Sequence, residues 1–138
     1  MKIIFIVPYY GELPCFFPVW LSSVKRQNNV DFLLVTDLYR ENCGNIRVLN
    51  WSFERLRCFI QSKFDFEISL ERPYKLCDFK PAYGYIFAEY LDGYDFWGHC
   101  DVDVLWGDMR KYLTDDILDN NDFLFRTGHF RLYRNEKF

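Results

Sequence analysis

The sequence predicts an α/β domain in which helices flank a mostly parallel β-sheet. Two observations support this prediction. Short runs of β-branched and other apolar residues alternate with stretches of helical periodicity, and the first run has the continuous apolar character of a strand that is buried on both faces. Half of the 138 residues are hydrophobic and 21% are aromatic, so one domain over residues 1–138 can bury a large core.

The strands are predicted from the apolar runs in chain order. The run at residues 2–7 is expected at the centre of the sheet and ends in a loop of sequence Pro-Tyr-Tyr-Gly, whereas the run at 31–36 is expected beside it. Further strands are predicted at 45–49, 94–100, 123–126 and 131–133. The strand at 94–100 leads directly into an Asp-Val-Asp sequence, which it would carry to the carboxyl edge of the sheet.

Helices are predicted where apolar residues recur at helical spacing. Pro18 suits the first turn of one helix, and Ser52 can cap another whose apolar residues occur at positions 53, 56, 60 and 64. The clearest helix is predicted at 81–91, with Gly93 ending it, and a short helix is predicted after Asp108. A solvated acidic turn, or the caps of short helices, is predicted for Asp115, Asp116 and Asp119.

Composition narrows the class of protein. The net charge of −3 provides no basic face for nucleic acid. The cysteines form no C-x-x-C pair, which argues against a disulfide framework or a zinc ribbon. Prolines interrupt the apolar N-terminal stretch, so neither a signal segment nor a transmembrane helix is predicted. We therefore expect a cytoplasmic protein whose thiols are mostly free and partly buried.

Polar residues follow three predicted strands, at the sheet edge where α/β proteins bind ligands. These residues are the 8–11 loop, Thr36 with Asp37, and Asp101 with Asp103. Alternate residues of an extended chain share a face, so Asp101 and Asp103 are expected to point the same way and Val102 toward the core. Two such carboxylates repel each other unless a cation lies between them, and their oxygens suit Mg²⁺ or Mn²⁺. The alternative to a metal site is that these two aspartates bind no cation.

Two neighbours of this sequence carry reactive side chains. His99 has the same parity as Asp101, so it is either a core histidine, which we prefer, or a contact of the metal shell. Cys100 faces the opposite side of the strand and is expected to pack in the core.

The central part of the chain resembles bacterial glycosyltransferases of the GT-A fold, of the kind found in capsule, lipopolysaccharide and other surface-polysaccharide gene clusters. The resemblance is most specific at residues 74–84, which read YKLCDFKPAYG, and at 96–108, which read FWGHCDVDVLWGD. It extends from Lys2 to about Asn135 and includes the Gly-His-Phe sequence at 128–130. The 8–11 loop and the strand end at Thr36-Asp37 are similar to the nucleotide pocket of the same family.

The resemblance implies a GT-A-like domain that binds a nucleoside-diphosphate sugar, with uridine diphosphate as the commonest carrier, and a Mn²⁺ or Mg²⁺ cofactor. Base and ribose would be held by Pro8, Tyr9, Tyr10, Thr36 and Asp37. Asp103 would bind the cation that bridges the diphosphate, and Asp101 would reach the ribose or the metal through water. Lys80 would bind phosphate and Asp78 would orient it, although the stem of Lys80 could instead cover aromatic rings. Tyr9 and Tyr10 could likewise be ordinary core or surface aromatics.

The acceptor in this family would be a saccharide or a lipid-linked saccharide, and the protein could lie at the inner face of the membrane. Only 35 residues follow Asp103, which is little chain for an acceptor site. We therefore expect a donor-binding, N-terminal part of such an enzyme, which binds donor better than it transfers sugar. Exposed aromatic residues would then favour self-association.

Two other functions use the same residues. In a haloacid-dehalogenase-like phosphatase, Asp101 would be the nucleophile and Asp103 the general acid, although that fold needs further motifs later in the chain. In a non-catalytic GT-A-like remnant, the site would bind a nucleotide or a partner without transferring sugar.

Overall fold

Six strands form one sheet in the computed structural model, which describes residues 1–136. The strands are β1 (Ile3–Pro8), β2 (Val30–Thr36), β3 (Ile46–Asn50), β4 (Phe96–Cys100), β5 (Phe123–Leu124) and β6 (Phe130–Arg134). Their order across the sheet is β3-β2-β1-β4-β6-β5. The first four strands are parallel to one another, and β6 is antiparallel to both of its neighbours. The predicted α/β class is therefore confirmed, with β1 between β2 and β4 as expected.

Short helices connect these strands. The α-helices are α1 (Phe17–Lys25), α2 (Phe53–Gln61), α3 (Leu76–Phe79), α4 (Tyr83–Ile86) and α5 (Asp115–Asp119), and the 3₁₀ turns are Pro73–Lys75, Lys80–Ala82, Ala88–Tyr90 and Met109–Lys111. Ser52 caps α2 as predicted, because its side chain accepts a hydrogen bond from the amide of Arg55. The short helix predicted after Asp108 is a 3₁₀ turn. Thr114 caps α5, so the acidic residues predicted for a turn lie in a short helix.

None of the helices that the structure describes between residues 1 and 136 has the length and apolar character needed to cross a membrane.

The prediction of one continuous helix at 81–91 is wrong. The chain turns helically from Pro73 onward but changes between 3₁₀ and α geometry several times before Tyr90. Pro81 has no N–H with which to close an α-helical turn, and the amide of Tyr83 donates to the carbonyl of Lys80, three residues earlier. Lys80 therefore lies in a turn between two one-turn helices, not ahead of a long helix.

The two final strands differ from their predicted lengths. The strand predicted at 123–126 ends at Leu124, because Phe125 adopts a φ of +66° in the left-handed region and cannot continue an extended chain. The strand predicted at 131–133 is longer and pairs on both edges. Because β6 lies beside β4, the residue before it, His129, reaches the end of β4.

The sheet separates two hydrophobic clusters, since alternate side chains of a strand point to opposite faces. Phe5 packs into the cluster beneath α1, whereas Ile4 and Ile6 pack into the cluster beneath α2 and α4. This double burial explains why the run at the N-terminus is apolar throughout. Both clusters end near the carboxyl edge of the sheet, where the polar residues begin.

A buried glutamine fixes the segment that follows the Asp-Val-Asp sequence. Gln27, which follows the C-cap residue of α1, is 6% exposed, and its Nε2 donates to the carbonyls of Ser23 and Gly107, both at 2.8 Å. Its Oε1 accepts from the amide of Met109 at 3.0 Å. One side chain thus joins α1 to the loop that follows the candidate site.

Replacing Gln27 by alanine is expected to lower the free energy of unfolding by about 2 kcal/mol, because the buried amide of Met109 and the carbonyl of Gly107 lose their partner. Urea denaturation measures this difference. The exposed Lys25 of the same helix provides the control, and Lys25→Ala should change stability by less than about 0.5 kcal/mol. Equal effects of the two substitutions would show that Gln27 does not hold this loop.

Candidate functional site

A pocket of about 520 Å³ opens at the carboxyl ends of β1 and β4. The chain proceeds from β1 outward to β3 and then returns to place β4 on the other side of β1, so the strand order reverses at this point. Open α/β sheets bind ligands in the crevice at such a reversal. The polar residues that line the pocket include Tyr9, Tyr10, Lys80, His99, Asp101 and Asp103. The 8–11 loop and Asp103 therefore share a pocket, as predicted.

The two carboxylates lie in a turn directly after β4. Val102, between them, is 6% exposed and packs into the core, whereas Asp101 is partly exposed and Asp103 is exposed. Both carboxylates line the pocket. As expected, Asp101 and Asp103 face the same pocket and Val102 packs into the core, but a turn at residues 102–103 produces this arrangement, not an extended chain, and Val102 also borders the pocket.

His129 joins this pair through strand pairing. The amide of Asp101 donates to the carbonyl of His129 at 3.0 Å, which continues the β4–β6 ladder by one residue. The Nδ1 atom of His129 lies 3.4 Å from Oδ2 of Asp101. One ligand atom from each of Asp101, Asp103 and His129 lies within 4.8 Å of the other two. Sequence reasoning gave His129 no role.

These three side chains form a group that could hold a divalent cation. Neighbouring ligands of an octahedral cation lie about 3.0 Å apart if each bond is near 2.1 Å. Side chains whose ligand atoms lie up to 4.8 Å apart must therefore close by up to about 1.8 Å to bind one ion. Carboxylate oxygens suit Mg²⁺ and Mn²⁺, and the added imidazole nitrogen favours Mn²⁺ over Mg²⁺. The waters and phosphate oxygens that such ions also bind could enter from the pocket side.

Lys80 already places a positive charge on this group. Its Nζ lies 2.6 Å from Oδ1 of Asp101, and about a quarter of the Lys80 side chain is exposed. The prediction that Asp78 orients Lys80 is wrong, because Asp78 is exposed and pairs with Lys75 at 3.3 Å. Lys75 precedes Asp78 by three residues on the same helical segment, which places the two side chains side by side.

His99 is buried, as predicted for a core histidine, but it also lines the pocket. Burial, helped by the charges of Lys80 and Arg131 and opposed by Asp101, lowers the pKa of His99 to about 4, so the ring is neutral at pH 7. Its Nδ1 is buried and has no hydrogen-bond partner among residues 1–136. Cys100 packs on the other face as predicted, and burial raises the pKa of its thiol.

The loop after β1 provides two tyrosines with different surroundings. Tyr9 donates through its hydroxyl to the carbonyl of Glu12 at 2.8 Å. Tyr10 packs edge-on against Phe53, with ring centroids 5.5 Å apart, and its buried hydroxyl has no partner in the described part of the chain. Burial, together with the nearby charge of Asp37, raises the pKa of Tyr10. Both rings border the pocket, as does Pro8.

The strand end at Thr36-Asp37 lies outside the lining of this pocket. Thr36 is fully buried, and its Oγ1 accepts from the amide of Leu38 at 3.2 Å. That bond stabilises the turn after β2, so the hydroxyl has a structural role. Asp37 is exposed and close enough to Tyr10 to influence its titration.

Another part of the pocket lining was missed by sequence reasoning. It comes from the helical segment before β4, and its members are Pro73, Tyr74, Leu76, Cys77 and Tyr83. The same segment contains the YKLCDFKPAYG sequence that carries the family resemblance, which was the available signal. These side chains could not be assigned to the pocket from the sequence, because the tertiary structure brings this segment to the same pocket as the end of β1.

Comparison with known proteins gives a family and no named relative. Neither the curated proteins nor the solved structures contain a match to this chain. A protein-family model matches residues 5–138. Because this match covers nearly the whole sequence, the chain belongs to the family described as "Family of unknown function (DUF6625)".

Proposed function

We propose that this protein binds a nucleoside-diphosphate sugar together with a divalent cation, as the donor site of a GT-A-type glycosyltransferase. One observation supports the proposal most directly: Lys80, Asp101 and Asp103 line one pocket where the strand order reverses, and His129 lies beside the two carboxylates. The pocket volume of about 520 Å³ lies within the usual range of about 300–1,000 Å³ for small-molecule sites. The resemblance of residues 74–84 and 96–108 to glycosyltransferases supplies the reaction class.

The charges of the site fit a diphosphate and a cation better than either alone. A diphosphate beside Asp101 and Asp103 would be repelled, and a cation between the carboxylates removes that repulsion. Lys80 adds a second positive charge at the same edge of the pocket. His99 is neutral and therefore adds no charge that would compete with the cation.

Other parts of the pocket lining have properties that a nucleoside requires. Tyr9 and Tyr10 offer aromatic faces of the kind on which bases stack. Ile6, Leu76 and Tyr83 make a further part of the lining apolar. A ligand that combines an aromatic base with a diphosphate matches this set of surfaces.

Each residue of the site then has a defined part in sugar transfer. Asp101, Asp103 and His129 would hold Mn²⁺, which when bound supplies a Lewis acid for the negative charge that develops on the leaving diphosphate. Lys80 donates a hydrogen bond to a phosphate oxygen. The apolar part of the lining shields one side of the donor from water. The acceptor, a saccharide or a lipid-linked saccharide, would approach the anomeric carbon from the solvent side.

Cysteine protection tests this proposal without needing the acceptor. Cys77 is exposed and lines the pocket, whereas Cys43 and Cys58 are exposed elsewhere. Uridine diphosphate with Mn²⁺, at ten times its Kd, should slow alkylation of Cys77 about tenfold, because only about one molecule in eleven is then free. Alkylation of Cys43 and Cys58 should keep its rate. Iodoacetamide labelling followed by peptide mass spectrometry measures all three sites in one sample.

The nucleotide is varied in the same experiment. Uridine, guanosine, cytidine and thymidine diphosphates and their sugars are compared with and without Mn²⁺. Protection of Cys77 by one member, dependent on Mn²⁺, supports the donor site and names the carrier. Unchanged alkylation of Cys77 across the whole panel, in a sample that melts cooperatively, would contradict the proposal.

A further inference from the structure

We propose that Lys80 exchanges partners during binding: it pairs with Asp101 before ligands enter and moves to a phosphate oxygen when a cation takes Asp101. This exchange couples the binding of the cation to the binding of the nucleotide. The inference rests on the proposed function, since it concerns how the same site acquires its two ligands. Its test below separates its own failure from that of the donor site.

Both oxygens of Asp101 have protein partners. Oδ1 lies 2.6 Å from the ammonium group of Lys80, and Oδ2 lies 3.4 Å from Nδ1 of His129. Asp103, by contrast, forms no ion pair with any residue of the described range 1–136. A cation can therefore bind Asp103 directly, but it must displace Lys80 before it gains the full charge of Asp101.

The displaced ammonium group stays within the pocket. Lys80 lies in the 3₁₀ turn Lys80–Ala82, and Pro81 restricts the backbone of that turn. The side chain has four rotatable bonds and is partly exposed, so the charge can move while the backbone stays in place. Because Lys80 already lines the pocket, the nearest new acceptor would be a phosphate oxygen of a ligand bound there.

The exchange has a thermodynamic signature. A cation alone binds weakly because it competes with Lys80, and a nucleotide alone binds weakly because Lys80 is occupied and the carboxylates are not neutralised. Together they bind tightly. The coupling factor α, the ratio of the Kd of Mn²⁺ without nucleotide to its Kd with saturating nucleotide, measures this effect, and linkage requires the same factor from the nucleotide side.

A fixed positive charge at Lys80 would affect the coupling factor α differently from an exchange of partners. A Lys80 that stays on Asp101 would weaken cation binding and strengthen nucleotide binding by fixed amounts, and α would not depend on it. If instead the Lys80–Asp101 pair is closed about nine-tenths of the time, it raises the apparent Kd of Mn²⁺ about tenfold, and only while nucleotide is absent. The dependence of α on Lys80 therefore distinguishes exchange from a fixed charge.

Isothermal titration calorimetry of the full chain, with Mn²⁺ alone, uridine diphosphate alone and both, measures α. Lys80→Met removes the charge but keeps an apolar stem, and Lys80→Gln is a second variant of different shape. Both should bind Mn²⁺ alone about tenfold more tightly than the wild type and should lower α at least about tenfold.

The matched control is Lys75→Met, because Lys75 is on the same helical segment but pairs with Asp78. It should leave α unchanged. Association of Mn²⁺ with the nucleotide in solution is common to all samples and cancels.

The outcomes separate the two proposals. A wild type that shows Mn²⁺-dependent binding, with α unchanged in both Lys80 variants, overturns the exchange and leaves the donor site standing. A wild type that binds no nucleotide with Mn²⁺ overturns the donor site and the exchange with it. A fall of α in the Lys80 variants alone supports the exchange. A fall of equal size in Lys75→Met would assign the effect to general charge and overturn the exchange.

Discussion

Replacing Asp103 by alanine is expected to abolish Mn²⁺-dependent nucleotide binding, with a loss of affinity of at least about 100-fold. Outer residues of metal sites typically contribute about 10–100-fold, so a direct carboxylate ligand should contribute more. Asp103 is exposed and lies with Asp101 and His129 in the candidate metal group, and it lines the pocket. Because its side chain is at the surface, the substitution should leave the melting temperature of the ligand-free protein unchanged. Calorimetry with uridine diphosphate and Mn²⁺ measures the affinity.

Two further variants are compared with Asp103→Ala. Asp101→Ala should cost less, about tenfold, because the cation gains Asp101 only by breaking the Lys80–Asp101 pair, which offsets part of that interaction. Asp119→Asn, at an exposed acidic position in α5, is the control and should bind like the wild type. Equal binding of nucleotide and Mn²⁺ by the wild type and Asp103→Ala would contradict the proposal that Asp103 binds the cation. A loss confined to Asp101→Ala, with release of phosphate from small phosphomonoesters by the wild type, would favour the phosphatase alternative instead.

Local chemistry explains which elements of the fold were predictable. The strand at the N-terminus is apolar at every position because both of its faces are buried, and Ser52 marks the beginning of α2 because its side chain bonds the amide of Arg55. The segment at 81–91 has helical spacing, yet tertiary packing and Pro81 divide it into single turns. The left-handed conformation of Phe125 shortens β5 and gives no signal in an aromatic residue.

The candidate site was predictable only in the parts that are contiguous in sequence. The sequence placed Asp101 and Asp103 together at the end of β4, although the turn at residues 102–103 that directs both into the pocket was not predicted. The contact with His129 depends on the antiparallel register of β6 against β4, in which Cys100 pairs with Phe130. The pairing of Lys80 with Asp101 depends on how a divided helix crosses the sheet. Both contacts join residues more than 20 positions apart, and neither has a local pattern.

Replacing Gly98 by alanine is expected to destabilise the protein by about 3 kcal/mol or more, at the upper end of the usual cost of overpacking a core. Gly98 is the middle residue of β4, opposite Phe5 on one side and Leu132 on the other. A Cβ atom at this position would collide with the backbone carbonyl of Arg131 and lie 2.9 Å from the ring of Phe5. The carbonyl belongs to a paired strand, so relief requires β4 and β6 to separate.

Separation of these strands would also disturb the site, since Asp101 follows β4 and His129 precedes β6. Urea denaturation gives the stability, and Mn²⁺ titration of the folded fraction gives the effect on the site. Gly107→Ala is the matched control, because no atom lies within 4 Å of its Cβ position, and it should change stability by less than about 0.5 kcal/mol. If Gly98→Ala were as stable as Gly107→Ala, the close approach of β4 and β6 would be wrong. The placement of His129 against Asp101 would then lose its structural basis.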